Sequence, residues 1–515
     1  MPNKTKRMVK INTHNHHDDI GIKQRLIDGD CTSRHANIAT CSKIRRNVEN
    51  HQRDSPYSTT NDNRVKHIIT EILQESGIDA DRVRFALENK ERVRKFCVQY
   101  RETDLNFISR LVEEEGIYYF FEHYDNKHVV VFSDSKAAYL PLPGARQITF
   151  NTSNGMTPDK ESVYGFIYSR RANPAKVTQR DFNYKRIDLD LTTEMKTNSP
   201  SRREVYDFPG NYFKQERGNQ LAEIRHERLQ VLGETAEGES NCPRLGPGYE
   251  WELTDHYHKG KYLTVAVIHS GSQPQVLAEQ AGGGGFSYGN EFLVIPSNVM
   301  VRPHVVAEKP AITGLQTWTV VGRPGEEICT DEYGRIKAQP PWDRLGKHDD
   351  RSSCWLRVAQ TWGGGARGGQ FIPRIGDEVL VAFMEGDPDR PIVVGSVYNG
   401  DNLPINSLKK SVTQSGFRTK THKGEGFHEL RFDDAKGAEE IYLRSEKDWN
   451  ILIKNNKGQS IGGSSSTNVE KSLLETAEDI TLTANSKITL VCGASTIIID
   501  PSGISIKGGK INLNE

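Results

Sequence analysis

A histidine-rich tract near the N-terminus is the best candidate for metal chemistry in this sequence. The stretch THNHHDD (13–19) places His14, His16, His17 and Asp18 close together. Neutral imidazoles beside a carboxylate suit zinc or iron, as in metallohydrolases. No further His/Asp motif downstream completes a site, and a short His-rich tract alone is weak compositional evidence. We therefore expect no metal and no cofactor. A metal-dependent hydrolase that uses this tract stays the alternative, which stoichiometric zinc or iron in the purified protein would favour.

Three consecutive carboxylates, Glu113, Glu114 and Glu115, form the second candidate, because paired carboxylates can act as a general acid and a general base. They lie at the end of a predicted helix, where negative charge opposes the helix dipole. A charge run of this kind does not suggest the burial that perturbs the pKa of a catalytic carboxylate. A solvated face or a salt-bridged interface is the favoured interpretation.

Other catalytic patterns are poorly represented. The glycine-rich stretches AGGGGF (281–286) and GGGARGG (363–369) lack the GK[ST] of a phosphate-binding loop, and hairpin loops explain them better. The sequence contains no HExxH motif. Its seven cysteines are scattered without a CxxC pair, which disfavours a disulfide framework or a zinc ribbon. We therefore predict no catalytic residues, no cofactor-binding residues and no enzyme activity.

The composition favours a turn-rich β protein of several domains. At 515 residues the chain is long enough for several domains. Basic and acidic residues both number 68, so no basic excess indicates nucleic acid as a partner. Only 35% of the residues are hydrophobic, while glycine occurs 45 times. The N-terminus lacks an apolar signal core, and no run approaches the ~18 apolar residues of a membrane span. We expect a cytoplasmic protein that, if exported, leaves without a signal peptide.

The acidic run belongs to a predicted helix–glycine–strand unit. In TDLNFISRLVEEEG (103–116) apolar residues recur at helical spacing on one face. Thr103 or Asp104 can cap its N-terminus, and Gly116 suits the left-handed residue that ends a helix. The β-branched and aromatic residues that follow, 117–121, predict a strand. A second helix is predicted from Arg64 to a stop at Gly77.

The whole chain divides into five segments. Residues 1–62 are polar, His-rich and without sustained period, which predicts poor order. Residues 63–150 carry the helix–strand unit, and residues 151–310 look like strands broken by Pro/Gly turns. Residues 311–404 contain short strands at the spacing of a small barrel. Residues 405–515 are organised differently.

The last segment repeats short alternating strands, DITLT, KITLV, TIIID, GISIK and KINLN. Each carries one isoleucine of a series spaced by 7 to 9 residues: Ile480, Ile488, Ile497, Ile504 and Ile511. Such steps suit a solenoid of short strands. A lone chain with one apolar face per strand cannot enclose a core in so thin a prism, whereas three chains wound together can. We therefore predict a homotrimer with these isoleucines in its core. An ordinary β-sandwich is the alternative.

The final turn of such a solenoid would expose unpaired strand edges, which require a cap. The terminal stretch SGISIKGGKINLNE stays apolar almost to its end. Gly508 and Gly509 would let the chain pass closely around the last corner. We therefore predict a docking surface at the tip that includes Ile506, Gly508, Gly509 and Leu513.

Several long motifs resemble one family. Residues 96–123 (FCVQYRETDLNFISRLVEEEGIYYFFEH), 206–210 (YDFPG), 327–344 (EICTDEYGRIKAQPPWDR) and 354–399 are similar, in the same order, to signatures of VgrG proteins, the spike of the type VI secretion machine. The resemblance implies a mainly β fold with phage hub-like β-barrels, then an oligonucleotide/oligosaccharide-binding (OB) type barrel, then a triple-stranded, trimeric β-helix needle. It also implies that the acidic helix packs on barrel strands. Residues 1–62 do not resemble the first hub barrel, so we expect an atypical, truncated N-terminus.

The resemblance also implies a function and partners. A VgrG-like chain would be a structural, membrane-puncturing spike that caps the Hcp tube, holds a PAAR-repeat tip protein and carries effector proteins. It would be cytoplasmic before firing and then secreted through the apparatus. The alternatives are enzymes, either the metal-dependent hydrolase above or a phage-type tail spike with cell-wall hydrolase activity. No extra domain interrupts the barrel-to-needle transition near 399–415, which disfavours the second enzyme.

Overall fold

The computed structural model describes residues 64–89, 93–152, 160–197, 202–272, 287–406, 409 and 411–511, and the backbone of three strands nearer the N-terminus. Two compact units divide the chain, Met1–Arg444 and Ser445–Glu515. Strands greatly outnumber helices, as expected of a mainly β protein. None of the helices in these ranges is long and apolar enough to cross a membrane.

The first lobe contains both predicted helices, α1 (Val65–Glu75) and α2 (Asp104–Glu115). Their apolar faces pack on a three-stranded sheet of β4 (Val83–Ala86), β7 (His128–Ser133) and β6 (Tyr118–His123), in that order. The Thr103 hydroxyl accepts a hydrogen bond from the backbone nitrogen of Asn106 at 3.2 Å, and Gly116 is left-handed with φ 69°. The predicted cap and helix end are therefore confirmed. An added Cβ at Gly116 would lie 2.6 Å from Ile224, so close packing also favours glycine here.

Six strands close into a barrel around a core that contains Trp251 and Phe292. Going round the barrel, they are β9 (Gln147–Phe150), β10 (Ser162–Arg170), β14 (Glu234–Ser240), β17 (Ser287–Pro296), β16 (Gly260–Ser272) and β15 (Tyr249–Thr254), which returns to β9. A short strand, β8 (Leu140–Pro141), extends the sheet beside β15.

Part of the polar N-terminal segment belongs to this sheet, where the sequence predicted poor order. Strand β1 (Asp19–Arg25) pairs antiparallel with β16 over seven residues, and β2 (Cys31–Thr32) pairs with β1. Strand β3 (Ser55–Tyr57) pairs with β5 (Cys97–Gln99) of the first lobe. Pairing with a preformed edge supplies backbone hydrogen bonds that a strand without a sustained apolar period cannot obtain alone, which is why the sequence pattern missed these strands.

A small α/β insertion interrupts the barrel strands. It contains β11 (Lys176–Gln179), β12 (Thr193–Lys196), β13 (Glu204–Asp207) and the seventeen-residue helix α3 (Gln215–Val231). Helix α3 corrects the expectation that this region holds strands alone. Its sequence is so polar that its buried face is carried by few residues, among them Leu221, Ala222 and Ile224, and periodicity therefore gave no clear signal.

A second barrel follows at residues 316–397. Its strands are β18 (Gln316–Val321), β19 (Lys337–Gln339), β20 (Arg357–Val358), β23 (Glu378–Phe383) and β24 (Pro391–Val397). The sheet order is β19-β18-β23-β24-β20, with β20 parallel to β24, and an Ile336–Leu356 bridge closes the ring. This is the expected five-stranded OB-type barrel. The GGGARGG stretch forms the predicted hairpin, of β21 (Gly363–Gly364) and β22 (Arg367–Gly368).

Two antiparallel three-stranded sheets end the described chain. The first, at the end of the larger unit, contains β25 (Gln414–Arg418), β26 (Glu429–Asp433) and β27 (Glu440–Arg444). The second, in the smaller unit, contains β28 (Ile488–Cys492), β29 (Ser495–Asp500) and β30 (Gly503–Lys507). Short 3-10 helices lie elsewhere, at Ala80–Arg82, Lys136–Ala138 and Met384–Gly386.

Three predicted strands of the final repeat are present, but DITLT (479–483) is not a strand in this chain. A strand persists only beside a hydrogen-bonded neighbour, and within the described part of this chain residues 445–487 pair with none. The strands that do form turn back on one another as a meander. The predicted strand KINLN lies mostly outside the described residues.

Candidate functional site

The acidic end of α2 is fully engaged by the rest of the chain. The Glu113 carboxylate accepts hydrogen bonds from the backbone nitrogens of Val306 (2.8 Å) and Ala307 (3.0 Å). Arg94, which is buried, pairs with Glu114 at 3.0 Å and with Glu115 at 2.8 Å. Of the two predicted interpretations, the structure shows the salt-bridged interface and not the solvated face, and it buries the Glu113 and Glu115 side chains, which the charge run did not suggest.

Three further arginines reach the same helix end. Arg217 pairs with Glu115 at 2.6 Å. Arg228 donates to the Glu113 carbonyl oxygen, and Arg302 donates to the Gly116 carbonyl oxygen at 3.0 Å. Burial by itself would lower the pKa of Arg94, but the neighbouring carboxylates raise it above its usual range. The positive charges therefore offset both the carboxylates and the negative end of the helix dipole.

Within the described residues, the remaining chemical candidates do not assemble into a site. His14, His16, His17 and Asp18 lie outside the described residues, and no group of three or more potential metal ligands occurs in the described ranges. Burial raises the pKa of Cys97 and Cys354 to about 12, which keeps both thiols protonated and poorly nucleophilic. The glycine-rich stretch 281–286 also lies outside the described residues.

One further motif carries no chemistry. The sequence GQSIG (458–462) matches the GxSxG spelling of a hydrolase nucleophile elbow. That elbow requires a strand before the serine and a helix after it. Here Ser460 lies in an exposed stretch with neither.

The C-terminal strands instead present an unpartnered apolar face. Ile488 lies opposite Ile499, which lies opposite Ile504, and Leu490 lies opposite Ile497, which lies opposite Ile506. Because opposed residues and alternate residues share a face of an antiparallel sheet, all of these side chains project the same way. We call this set the C-terminal apolar face: Ile488, Leu490, Ile497, Ile499, Ile504 and Ile506.

This face is largely open to solvent in the single chain. The exposed fraction is 38% for Ile497 and 69% for Ile504. Two other predicted core isoleucines, Ile480 and Ile511, are also exposed but lie outside the described strands. Thus the structure brings Ile488, Ile497 and Ile504 together and does not bring Ile480 and Ile511 to them.

Docking at the tip stays a prediction, because its residues are described only in part. Ile506 shares the C-terminal apolar face with the predicted core residues instead of forming a separate surface. An added Cβ at Gly508 would lie 3.2 Å from Ser495 Oγ, which supports a close passage there, but nothing lies within 4 Å at Gly509. Leu513 lies outside the described residues.

A second apolar face, which the sequence analysis missed, occurs on β25–β27. Phe417 lies opposite Leu430 and Leu430 opposite Leu443, while Phe432 lies opposite Ile441. We call these five residues the upper apolar face. Ile441 is 73% exposed and Phe417 is 63% exposed. Apolar and polar residues alternate in HELRFDD (428–434) and EEIYLR (439–444), which indicates strands. These strands do not follow the 7- to 9-residue spacing of the later isoleucines, so the sequence analysis did not group them into a face.

The opposite side of the same sheet is charged and ordered. Arg418 pairs with Glu429 at 2.9 Å, and Arg431 pairs with Glu440 at 2.8 Å across neighbouring strands. The guanidinium of Arg431 also lies 4.5 Å from the centre of the Tyr442 ring. Cross-strand pairs of this kind favour one register, so the charged side keeps the five apolar residues aligned on the other.

Three family models match successive parts of the chain. Residues 52–275 match the phage tail baseplate hub (GPD), and residues 328–398 match the type VI secretion system/phage-baseplate injector OB domain. Residues 415–502 match the bacteriophage T4 gp5 C-terminal trimerisation domain. The order agrees with the hub, OB-type barrel and needle expected from the sequence, and the trimerisation match contains the upper apolar face and part of the C-terminal apolar face.

Curated relatives extend this agreement. The actin cross-linking toxin VgrG1 of Vibrio cholerae is 37% identical over 458 residues, which cover 88% of this chain and 40% of that protein. The type VI secretion system spike protein VgrG5 of Pseudomonas aeruginosa is 39% identical over 417 residues, which cover 77% of this chain and 52% of that protein. The chain thus spans about half the length of the curated relatives it matches, or less.

Solved structures give low similarity scores. The E. coli c3393 protein, a component of the type VI secretion system, has a TM-score of 0.46 at 21% identity and covers 69% of this chain and 76% of its own. The Francisella PdpA–VgrG complex has a TM-score of 0.49 at 10% identity and covers 90% of this chain and 64% of its own.

The family assignment rests on the ordered hub, OB and trimerisation matches and on the curated relatives. By these matches the chain belongs to the VgrG family of type VI secretion spike proteins.

Proposed function

We propose that this chain is the trimeric, membrane-puncturing spike of a type VI secretion apparatus. One observation carries the proposal: two sheets within or overlapping the segment that matches a trimerisation domain each expose one apolar face. Fully burying a large aliphatic side chain contributes about 1.5–3 kcal/mol. Six such side chains on one face of a three-stranded sheet therefore favour association strongly.

Geometry and the match to a trimerisation domain together support the number three. A single sheet has no second layer of its own to cover such a face. Three copies arranged around an axis would each supply one wall of a prism and would cover the three apolar faces together. Residues 445–487, which pair with no strand in the described part of the single chain, would then find their backbone partners in the other copies. This is the triple-stranded β-helix needle.

Membership in the family supports the remaining partners of the proposal. The hub-like part would seat on the Hcp tube, the needle would hold a PAAR-repeat tip protein, and effector proteins would travel with the spike. The protein would stay in the cytoplasm until firing and would then be secreted through the apparatus without a signal peptide, contacting the target membrane mechanically. A mechanical role without catalysis is supported by the engagement of the Glu113–Glu115 carboxylates and the raised pKa values of Cys97 and Cys354.

Mass photometry tests the assembly directly. We expect the full-length protein to run at three times the 58.0 kDa mass of one chain. Removing residues 405–515 deletes both apolar faces, so we expect that variant to run as a monomer. A full-length protein that stays monomeric at micromolar concentration would contradict the proposal, as would a deletion variant that remains trimeric.

The tip gives an independent prediction. Truncation after Lys507 removes the last predicted docking residues but keeps all three strands of the C-terminal apolar face. We therefore expect the truncated protein to remain trimeric and to lose a cognate PAAR-repeat protein in a pull-down. Retained PAAR binding would place the docking surface elsewhere, and loss of the trimer would assign these residues to assembly.

A further inference from the structure

The OB-type barrel has a surface that such barrels ordinarily use for ligands. Oligonucleotides and oligosaccharides bind OB barrels across the second and third strands and the loops that join strands one to two and four to five. In this chain the two strands are β19 and β20, and the loops are 322–336 and 384–390. Both parts of this surface are occupied by segments from the hub.

The loop 384–390 is held by residues 96–100, which we call the clasp. The Asp389 carboxylate accepts a hydrogen bond from the Val98 backbone nitrogen at 2.7 Å. Lys309 pairs with Asp387 and with Asp389, at 2.7 Å each. Phe96 and Val98 are buried in the core of the OB-type barrel, against residues that include Trp318. The clasp therefore completes the barrel core while it contacts the loop.

The face formed by β19, β20 and the loop 322–336 is held by residues 181–189, which we call the latch loop. Tyr184 provides its main contact. The Tyr184 hydroxyl accepts a hydrogen bond from Arg335 at 2.8 Å, and the guanidinium of Arg357 lies 4.6 Å from the centre of the Tyr184 ring. Tyr333 meets the same ring edge-on, with the ring centres 6.3 Å apart.

A second set of contacts extends the latch. Lys185 lies 4.3 Å from the centre of the Tyr333 ring and 3.9 Å from the Glu332 carboxylate. On the barrel, Lys337 lies over Trp355 at 5.1 Å. Basic and aromatic side chains interleaved in this way are how nucleic-acid-binding barrels hold stacked bases. The Tyr184 ring lies over the Arg357 guanidinium, which is the kind of contact that a base makes in such barrels.

We propose that the clasp and the latch loop occupy the ligand-binding surface of the OB-type barrel. They convert a ligand-binding surface into a rigid joint between barrel and hub, and they block nucleic acid and oligosaccharide there. The occupant is a segment of the same chain, and its aromatic ring and hydroxyl group match the cations on the barrel. Such a joint would hold the OB-type barrel rigidly on the hub.

Hydrogen exchange on the full-length protein tests the latch. In Tyr184→Ala we expect exchange to rise about tenfold in peptides covering both 181–189 and 331–337, the loss expected for one hydrogen bond and one cation–π contact. Tyr184→Phe keeps the ring and loses the hydroxyl, so its rise should be smaller. Tyr257→Ala, at a residue 92% exposed, is the matched control and should change neither peptide.

Two results would overturn the proposal. One is a Tyr184→Ala protein in which exchange does not rise at 331–337, because the latch loop would then not cover the barrel face. The other is micromolar binding of a fluorescent 15-nucleotide oligo-dT to the wild-type protein that Arg357→Ala abolishes, because the face would then be open to a ligand. Exchange rising in both peptides, with no such binding by the wild-type protein, supports it.

Discussion

Replacing Ile488 with aspartate is expected to abolish the trimer at micromolar concentration. Ile488 lies in one row of the C-terminal apolar face with Ile499 and Ile504. In the proposed trimer the substitution brings three carboxylates together in one buried layer. The desolvation penalty is several kcal/mol for each unpaired buried charge, and each copy also loses the contribution of one buried isoleucine. Mass photometry should show the mass of a single chain.

Thr489→Asp is the matched control. Thr489 is the next residue on the same strand and lies opposite Ile498, so its side chain projects from the other side of the sheet. The same charge placed there stays in water, and the protein should remain trimeric. Equal loss of the trimer in both variants would show that the inward and outward faces are assigned wrongly. A trimer that survives Ile488→Asp would show that the face is not buried by assembly.

Replacing Arg94 with methionine is expected to lower the free energy of unfolding of the hub substantially. The Arg94 side chain is 4% exposed and bridges Glu114 and Glu115. Methionine fills much of the same volume but leaves the Glu114 carboxylate without this partner and Glu115 with Arg217 alone. Removing one partner of a buried ion pair costs about 3–5 kcal/mol. Urea unfolding should show that the hub is half unfolded at a clearly lower urea concentration than in the wild-type protein.

Arg170→Met is the control for the loss of one arginine. Arg170 also pairs with a carboxylate, that of Glu234 at 2.6 Å, but its side chain is 74% exposed. Exposed ion pairs contribute little, so the hub midpoint should be nearly unchanged. If both substitutions lower the midpoint equally, burial does not determine the strength of the pairing. If neither substitution lowers the midpoint, the pairing of Arg94 does not stabilise the acidic helix end.

Local patterns determined a large part of this fold. Helix α2, its cap at Thr103 and its end at Gly116 follow from neighbours within a few residues, because capping and helical periodicity are short-range effects. The short strands of the barrel at 316–397 follow from alternation bounded by glycine and proline. The motif order alone led to the family, and the matches to residues 52–275, 328–398 and 415–502 confirm that order.

Helix α3 and strand β1 could not be predicted in the same way. The polar sequence of α3 is held as a helix by packing on β11 and β12 of the same insertion. Strand β1 is held by an edge of β16, more than two hundred residues away in the sequence. Such stabilisation comes from tertiary partners, which no local period records. The upper apolar face was missed for a related reason, because opposed residues on three strands are neighbours only once the strands pair.

The sequence by itself determined that this protein is mainly β and that its acidic helix end is structural, and it predicted that the terminal isoleucines are buried by a partner. Only the tertiary structure decided which side chains share a face, because a face is defined by register between strands. It placed Ile506 beside Ile497, and it brought Tyr184 of the hub into contact with Arg335 and Arg357 of the OB-type barrel. Contacts between residues so distant in the chain depend on how whole elements pack, and spacing along the sequence does not encode them.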